Sequence, residues 1–179
     1  LKRPILNQAV AEGLGIIRSK KNISRLSMLF TDANEIVRMK AFESLMKIDV
    51  DNRDLYLKSA LNDSSYILQC VAIDYVAKKK LSDYLPQLLE ISNAEKIYHL
   101  DVRRSLVDCA SAFIAKESAD ANAMRILVNA IMDSDYIVRL AAAEVYKNKQ
   151  GENRFNMVKA KSYHISESEI AESLIEYKN

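Results

Sequence analysis

The sequence predicts an all-α chain, an α-α superhelix (solenoid) of about four to five helical hairpins. Three observations predict it. One helical phrase recurs five times, over residues 5–14, 36–45, 67–76, 101–110 and 137–146. Taking the second residue of each phrase as its anchor, Leu6, Val37, Leu68, Val102 and Val138 lie 31, 31, 34 and 36 residues apart. Such a period marks stacked helix pairs, because one pair cannot bury its apolar face alone and neighbours can. Shorter apolar stretches with Leu, Ile, Val or Met at helical spacing lie between the phrases. Finally, 3 glycines and 2 prolines in 179 residues leave little punctuation for an all-β fold.

Taken in order, the first phrase is a second helix alone, with Pro4 acceptable in its first turn. Without a first helix beside it, Ile5, Leu6 and Val10 are expected to be uncovered. Together with a start at Leu1, this suggests a fragment of a longer chain or a partner segment upstream. Four complete hairpins follow, whose first helices are predicted over 22–30, 53–61, 82–91 and 121–132. Each first helix ends in a polar turn: Thr31-Asp32-Ala33-Asn34, Asn62-Asp63-Ser64-Ser65, Ser92-Asn93-Ala94-Glu95 or Asp133-Ser134-Asp135. Asx and Ser side chains there can accept hydrogen bonds from the unpaired N–H groups opening the next helix. The array is expected to occupy residues 1–150. Beyond it, Gly151-Glu152-Asn153 reads as a loop, and Ser166 to Glu169 has capping-box spacing with Ile165 and Ile170 as staple. Ile170, Leu174 and Tyr177 then share one face of a terminal helix that caps the array or leads into another domain.

Composition bounds the class. A hydrophobic content of 49% supplies a core, and a net charge of +2 does not by itself imply nucleic acid or an acidic membrane. Cys70 and Cys109 lack metal-ligand spacing and read as thiols in or near the core, which favours a reducing, cytoplasmic setting. No run approaches the roughly 20 apolar residues that span a bilayer.

The phrases resemble HEAT repeats, in particular the short bacterial type whose second helix reads Val-Arg-x-x-Ala-x-x-x-Leu. Val37-Arg38 with Ala41 and Leu45 fits, as does Val138-Arg139 with Ala142. Ala11-Glu12-Gly13-Leu14-Gly15 is similar to the ending of that helix, and Pro86 sits where the family often has a kinking proline. The resemblance covers about residues 5 to 149. It implies an inter-repeat ladder between a turn aspartate and the arginine six residues later, matched by Asp32 with Arg38 and by Asp133 with Arg139. The chain departs from that pattern where Asp63 is followed by Gln69 and where Arg103 is preceded by Ile97. The resemblance further implies a protein-binding scaffold, often attached to an enzyme such as a bacterial cyclophilin-type prolyl isomerase, with second helices lining the concave side.

Helical geometry sharpens the expectation. At about 100° per residue, positions 0, +4 and +8 from each anchor cluster within roughly 80° and form the buried stripe. Position +6 points away from it, and it holds Glu12, Glu43, Asp74, Asp108 and Glu144, a carboxylate in every repeat. Positions +2 and +9 flank it and include Met39, Met46, Cys70, Ala77 and Leu140, beside polar Gln8, Arg104, Ser111 and Lys147. Acids beside flexible thioethers suit a basic, partly apolar peptide or helix. The bland alternative is a solvated surface carrying i,i+4 pairs from Glu43 to Lys47 and from Asp74 to Lys78.

Cations collect near the ends of second helices, at Arg18, Lys20, Lys21, Lys47, Lys78, Lys79, Lys80, Lys116, Lys147 and Lys149, where they complement the helix dipole. They offer a second reading, a lysine-rich edge contacting nucleic acid, but Asp49, Asp51, Asp54 and Asp83 dilute it. His99 and His164 have no zinc-type neighbours, no glycine-rich loop follows a strand, and no serine has a nucleophile-elbow setting. DNA glycosylases built from HEAT-like repeats use aromatics in a positive groove, which this Trp-free chain does not offer. No chromophore pocket of the bilin-lyase type is discernible. The expectation is therefore a non-enzymatic scaffold without metal or cofactor, binding a protein or peptide, with nucleic acid and membrane disfavoured.

Overall fold

The computed structural model describes residues 3–93, 98–115 and 119–150. Among these it is all-α: α1 (Pro4–Ile17), α2 (Ile23–Leu29), α3 (Glu35–Ile48), α4 (Arg53–Leu61), α5 (Tyr66–Lys79), α6 (Leu85–Asn93), α7 (Leu100–Ala112), α8 (Ala121–Ile131) and α9 (Tyr136–Gln150). Short 3-10 turns, Lys20–Asn22 and Ser82–Tyr84, lead into α2 and α6. The described residues contain no strand, only an isolated bridge between Ile114 and Ala119. All nine helices expected over residues 1–150 are present. The expected terminal helix, with Ser166, Glu169, Ile170, Leu174 and Tyr177, lies outside the described residues, as do Ala94, Glu95, Ile97, Lys116 and His164.

The polar turns start the helices as their chemistry requires. Asp32, Asp63 and Asp133 each accept, through Oδ1, the N–H two residues on, from Asn34 at 2.8 Å, Ser65 at 2.7 Å and Asp135 at 2.7 Å. The residue receiving that turn then caps the helix. Asn34 Oδ1 accepts from the N–H groups of Ile36 and Val37, and Asp135 Oδ1 from that of Ile137. His99 takes the cap position of α7, with Nδ1 accepting from Asp101 N–H at 3.3 Å. Two second helices end in left-handed residues that are not glycine, Arg18 (φ 53°) and Lys80 (φ 54°). The Lys80 side chain donates to the Ala112 carbonyl at the end of α7 and lies 5.5 Å over the Phe113 ring.

The chain divides into two compact units, residues 1–72 and 73–179, with the boundary inside α5. In the first, α1 packs on α3, α2 packs on both, and α4 packs on α3. Phe30 anchors this core, 6.1 Å from Phe42 and edge-on to Tyr56 at 5.9 Å. The α1–α3 contact is unusually close, because Gly15 faces Ser44, whose hydroxyl donates to the Ala11 carbonyl at 2.9 Å. A Cβ on Gly15 would lie 2.1 Å from Ser44 Oγ and 2.8 Å from its Cβ. In the second unit α6 packs on α8 and α7 on α9, while α8 touches both α7 and α9.

The predicted stripe is the core in four of the five phrases. Val37, Ala41 and Leu45 are fully buried, as are Leu68, Ala72 and Val76, and Val102, Leu106 and Ala110 are at most 3% exposed. Val138, Ala142 and Tyr146 follow the same rule. Position +5 is buried too, at Phe42, Ile73 and Val107, so the covered face is wider than three positions define. The exception is α1. Ile5 is 84% and Leu6 54% exposed, and Val10 is half-buried.

Candidate partner-binding face

The five position +6 carboxylates stay out of the core. Glu12, Asp74, Asp108 and Glu144 are exposed, and Glu43 is half-buried. In the first unit Glu12 and Glu43 sit on the adjacent helices α1 and α3; in the second, Asp108 and Glu144 sit on the adjacent helices α7 and α9. Asp74 pairs with Lys78 at 2.5 Å as expected. Glu43 does not take Lys47; it pairs one turn back with Lys40 at 3.2 Å. Glu12, Asp108 and Glu144 make no ion pair with a described residue, so their charge is left to solvent or a ligand.

Of the flanking residues, Met39 and Cys70 are half-buried and Leu140 is 44% exposed, which leaves them accessible beside the acids. Met46 corrects the expectation. It is 2% exposed, hence a core residue and not part of an accessible face. The last turn of α3 is closed over by the start of α4, where Arg53 Nε donates to the Met46 carbonyl at 2.8 Å. There too the buried Asp49 carboxylate accepts from Tyr56 Oη at 2.7 Å and from Asn52 Nδ2. A helical wheel of α3 alone does not contain that cover.

The expected Asp32–Arg38 and Asp133–Arg139 pairs meet only through main-chain carbonyls of their own turns; the carboxylates are taken by the preceding phrase, Asp63 by Arg38 and Asp133 by Arg103. Arg38 donates to the Asp32 main-chain carbonyl at 2.9 Å, while its guanidinium grips Asp63 in the next turn through Nε–Oδ2 at 3.0 Å and Nη2–Oδ1 at 2.7 Å. The Asp63 hydrogen bond, opposed by burial and helped by the charges of Asp63, Glu35 and Asp32, holds Arg38 above its ordinary pKa. Arg103 likewise reaches Asp133 in the turn that follows, and Arg139 donates to the Asp133 carbonyl at 2.7 Å. Asn7, at the position of Arg38 in its own phrase, donates to Asp32 at 2.9 Å. Asp63 and Arg103 therefore belong to rungs rather than breaking them. The recurrent residue after each anchor, Asn7, Arg38, Gln69, Arg103 or Arg139, was the sequence signal for this. Gln69 is the departure, turning to the Leu61 carbonyl at 3.4 Å.

Cys109 is buried, and that burial, with the charge of Asp74 adding and Lys80 opposing, pushes its thiol up to about 12. Such a thiol is neutral and unreactive at ordinary pH. In the second unit a cleft of about 160 Å³ opens among Ile91, Leu106, Ile126 and Val138, beside Arg103, Asp133 and Asn129. Its polar groups are engaged: Arg103 with Asp133 and the Tyr98 carbonyl, and Asn129 with Ser92 and Asn93. The cation-rich ends are partly committed as well, Lys78 to Asp74 and Lys80 to α7. No group of three metal-ligating side chains converges among the described residues, and none of their helices is long and apolar enough to cross a membrane. No family model matches the chain, and no curated protein does.

Proposed function

We propose that the chain is a HEAT-like α-solenoid serving as a non-enzymatic protein-binding scaffold, which takes a basic, partly apolar peptide or helix on its second-helix surface. One observation carries this reading. A carboxylate recurs at the same helical position in all five second helices, and none of the five is buried. Solvation alone asks only for polarity, which Lys, Gln or Ser would satisfy equally. A uniform sign instead builds a potential that steers a cation and fixes its register. The accessible Met39, Cys70 and Leu140 supply the apolar component. The 31- to 36-residue period and the rungs from α1, α3 and α7 to the turn that follows each hairpin's next helix support the repeat architecture.

The test is fluorescence anisotropy of a labelled amphipathic Lys/Leu peptide against the full chain, with a Glu/Leu peptide of the same pattern as control. The wild type is expected to bind only the lysine peptide, with affinity falling as salt rises. Neutralising Glu43, Asp74 and Asp108 together (E43Q/D74N/D108N) should weaken binding by about tenfold, equivalent to roughly 1.4 kcal/mol. Unchanged affinity and salt dependence would remove the acidic face as the binding surface.

A further inference from the structure

The end of α6 lacks a side chain that the earlier first helices have. Counted in 31-residue steps, Phe30 follows α2, Leu61 closes α4, and Ser92 stands at that position in α6. The structure agrees with this register. Both α2 and α6 follow a 3-10 turn, and Leu26 and Leu29 of α2 are buried just as Leu88 and Ile91 of α6 are. In the first unit the Phe30 ring lies against Phe42 and Tyr56, and Leu61 is buried. In the second unit the smaller Val107 and Ile126 hold the positions of Phe42 and Tyr56 in their own repeat. It is here, beside Ser92 and Ile126, that the cleft opens.

Size and lining select what this cleft would hold. Its volume is about 160 Å³, and an apolar protein cavity of about 150 Å³ holds one benzene ring. Ile91, Leu106, Ile126 and Val138 give it aliphatic walls. Its rim is polar and only half used. Asn129 donates through Nδ2 to Ser92 at 2.9 Å and to Asn93, and Asp133 receives both Arg103 and the Asp135 N–H on Oδ1. The other oxygens of this pair, Asn129 Oδ1 and Asp133 Oδ2, accept from no described residue. Arg103 balances the charge of Asp133, so the rim selects a hydrogen-bond donor rather than an ion. A bare hydrocarbon would leave both oxygens unpaired on displacing water, which costs affinity.

We infer that the cleft among α6, α7, α8 and α9 binds a small free ligand, a single aromatic ring bearing one hydrogen-bond donor, of which phenol is the simplest. The ring takes the part that Phe30 plays in the first unit, and its hydroxyl donates to Asn129 Oδ1 or Asp133 Oδ2. The walls come from the buried stripe and the ends of first helices. The site therefore shares no residue with the acidic second-helix face and does not depend on the peptide proposed for it.

Titration of the full chain with phenol, followed by amide ¹H–¹⁵N correlation spectra, tests this. Phenol should bind saturably with a Kd below about 1 mM, within reach of a ligand of seven heavy atoms. The amides of Ile126, Asn129, Asp133 and Val138 should shift, and those of the first unit should not. Toluene, of the same size without the hydroxyl, should bind about fivefold more weakly, the worth of one hydrogen bond. N-acetyltyrosinamide, which carries the same ring on a peptide unit, should bind more weakly than phenol. Ser92→Phe supplies the ring covalently and should abolish phenol binding while circular dichroism reports intact folding. Asn129→Leu should keep toluene binding and erase the preference for phenol. Four results overturn the inference: no saturable shift in the second unit; toluene binding as tightly as phenol; tyrosinamide binding more tightly than phenol, which would make the occupant a partner's side chain; or a folded Ser92→Phe that still binds phenol. If a variant fails to fold, the three ligands compared on the wild type still decide.

Discussion

Replacing Gly15 by alanine separates close packing from helix propensity more sharply than any other single change. Gly15 and Gly13 lie two residues apart in α1, but a Cβ at Gly13 has nothing within 4 Å, whereas at Gly15 it meets Ser44 Oγ at 2.1 Å. Rotating the Ser44 hydroxyl away does not clear the space, since Ser44 Cβ stands at 2.8 Å and Cα at 3.3 Å. The helices must therefore separate by several tenths of an ångström, which stretches the bond from Ser44 Oγ to the Ala11 carbonyl. Overpacking of this kind costs about 1–3 kcal/mol, and weakening a buried hydroxyl bond adds about 1 kcal/mol. Better helix propensity returns about 1 kcal/mol, so Gly15→Ala should destabilise by about 1–3 kcal/mol while Gly13→Ala stabilises by about 1 kcal/mol. Urea titrations followed by circular dichroism read both. Ser44→Ala should not rescue Gly15→Ala, because the clashing Cβ remains; Ser44→Gly should shrink the loss. If Gly15→Ala is as stable as Gly13→Ala, the close α1–α3 contact is wrong.

Three further outcomes follow from the geometry. A double-mutant cycle on Arg38→Met and Asp63→Asn should return a coupling of about 1–2 kcal/mol in urea unfolding, as expected for a paired, partly covered bidentate contact. Arg18→Gly should stabilise by about 0.5–1 kcal/mol by relieving a left-handed residue, while Lys80→Gly should change stability little, since it also removes the cation that caps α7. Cys109 should resist thiol-specific labelling until the protein unfolds. Because its folded pKa is raised to about 12 from 9.0, the stability it contributes is fully present below pH 9 and is lost as pH rises toward 12. Tyr56, raised by burial, acts in the same direction, and Cys109→Ala should flatten the alkaline limb of a stability–pH curve.

The helices were legible because each phrase carries a 3.6-residue pattern and a capping turn, both local properties. The stripe from Val37 to Leu45 could be read for the same reason, as could the outward placement of Asp108 and Glu144. What was not legible depends on a second element. Met46 is buried by packing against other elements, which no wheel of α3 shows. Arg38 takes its carboxylate partner, Asp63, from the following turn while donating to the main chain of its own, a geometry fixed by how the helices pack. Ser44 reads as an ordinary polar residue until α1 approaches through Gly15.

Carboxylate footprinting tests the central claim most directly: carbodiimide-mediated labelling of the full chain with glycine ethyl ester, read by mass spectrometry with and without the Lys/Leu peptide. Asp74, Asp108 and Glu144 should label readily in the free protein, Glu43 less so, and all four should be protected when the peptide binds. The buried Asp49 should stay unlabelled throughout. Acids that fail to label in the free chain, or that label equally with the peptide bound, would contradict the account.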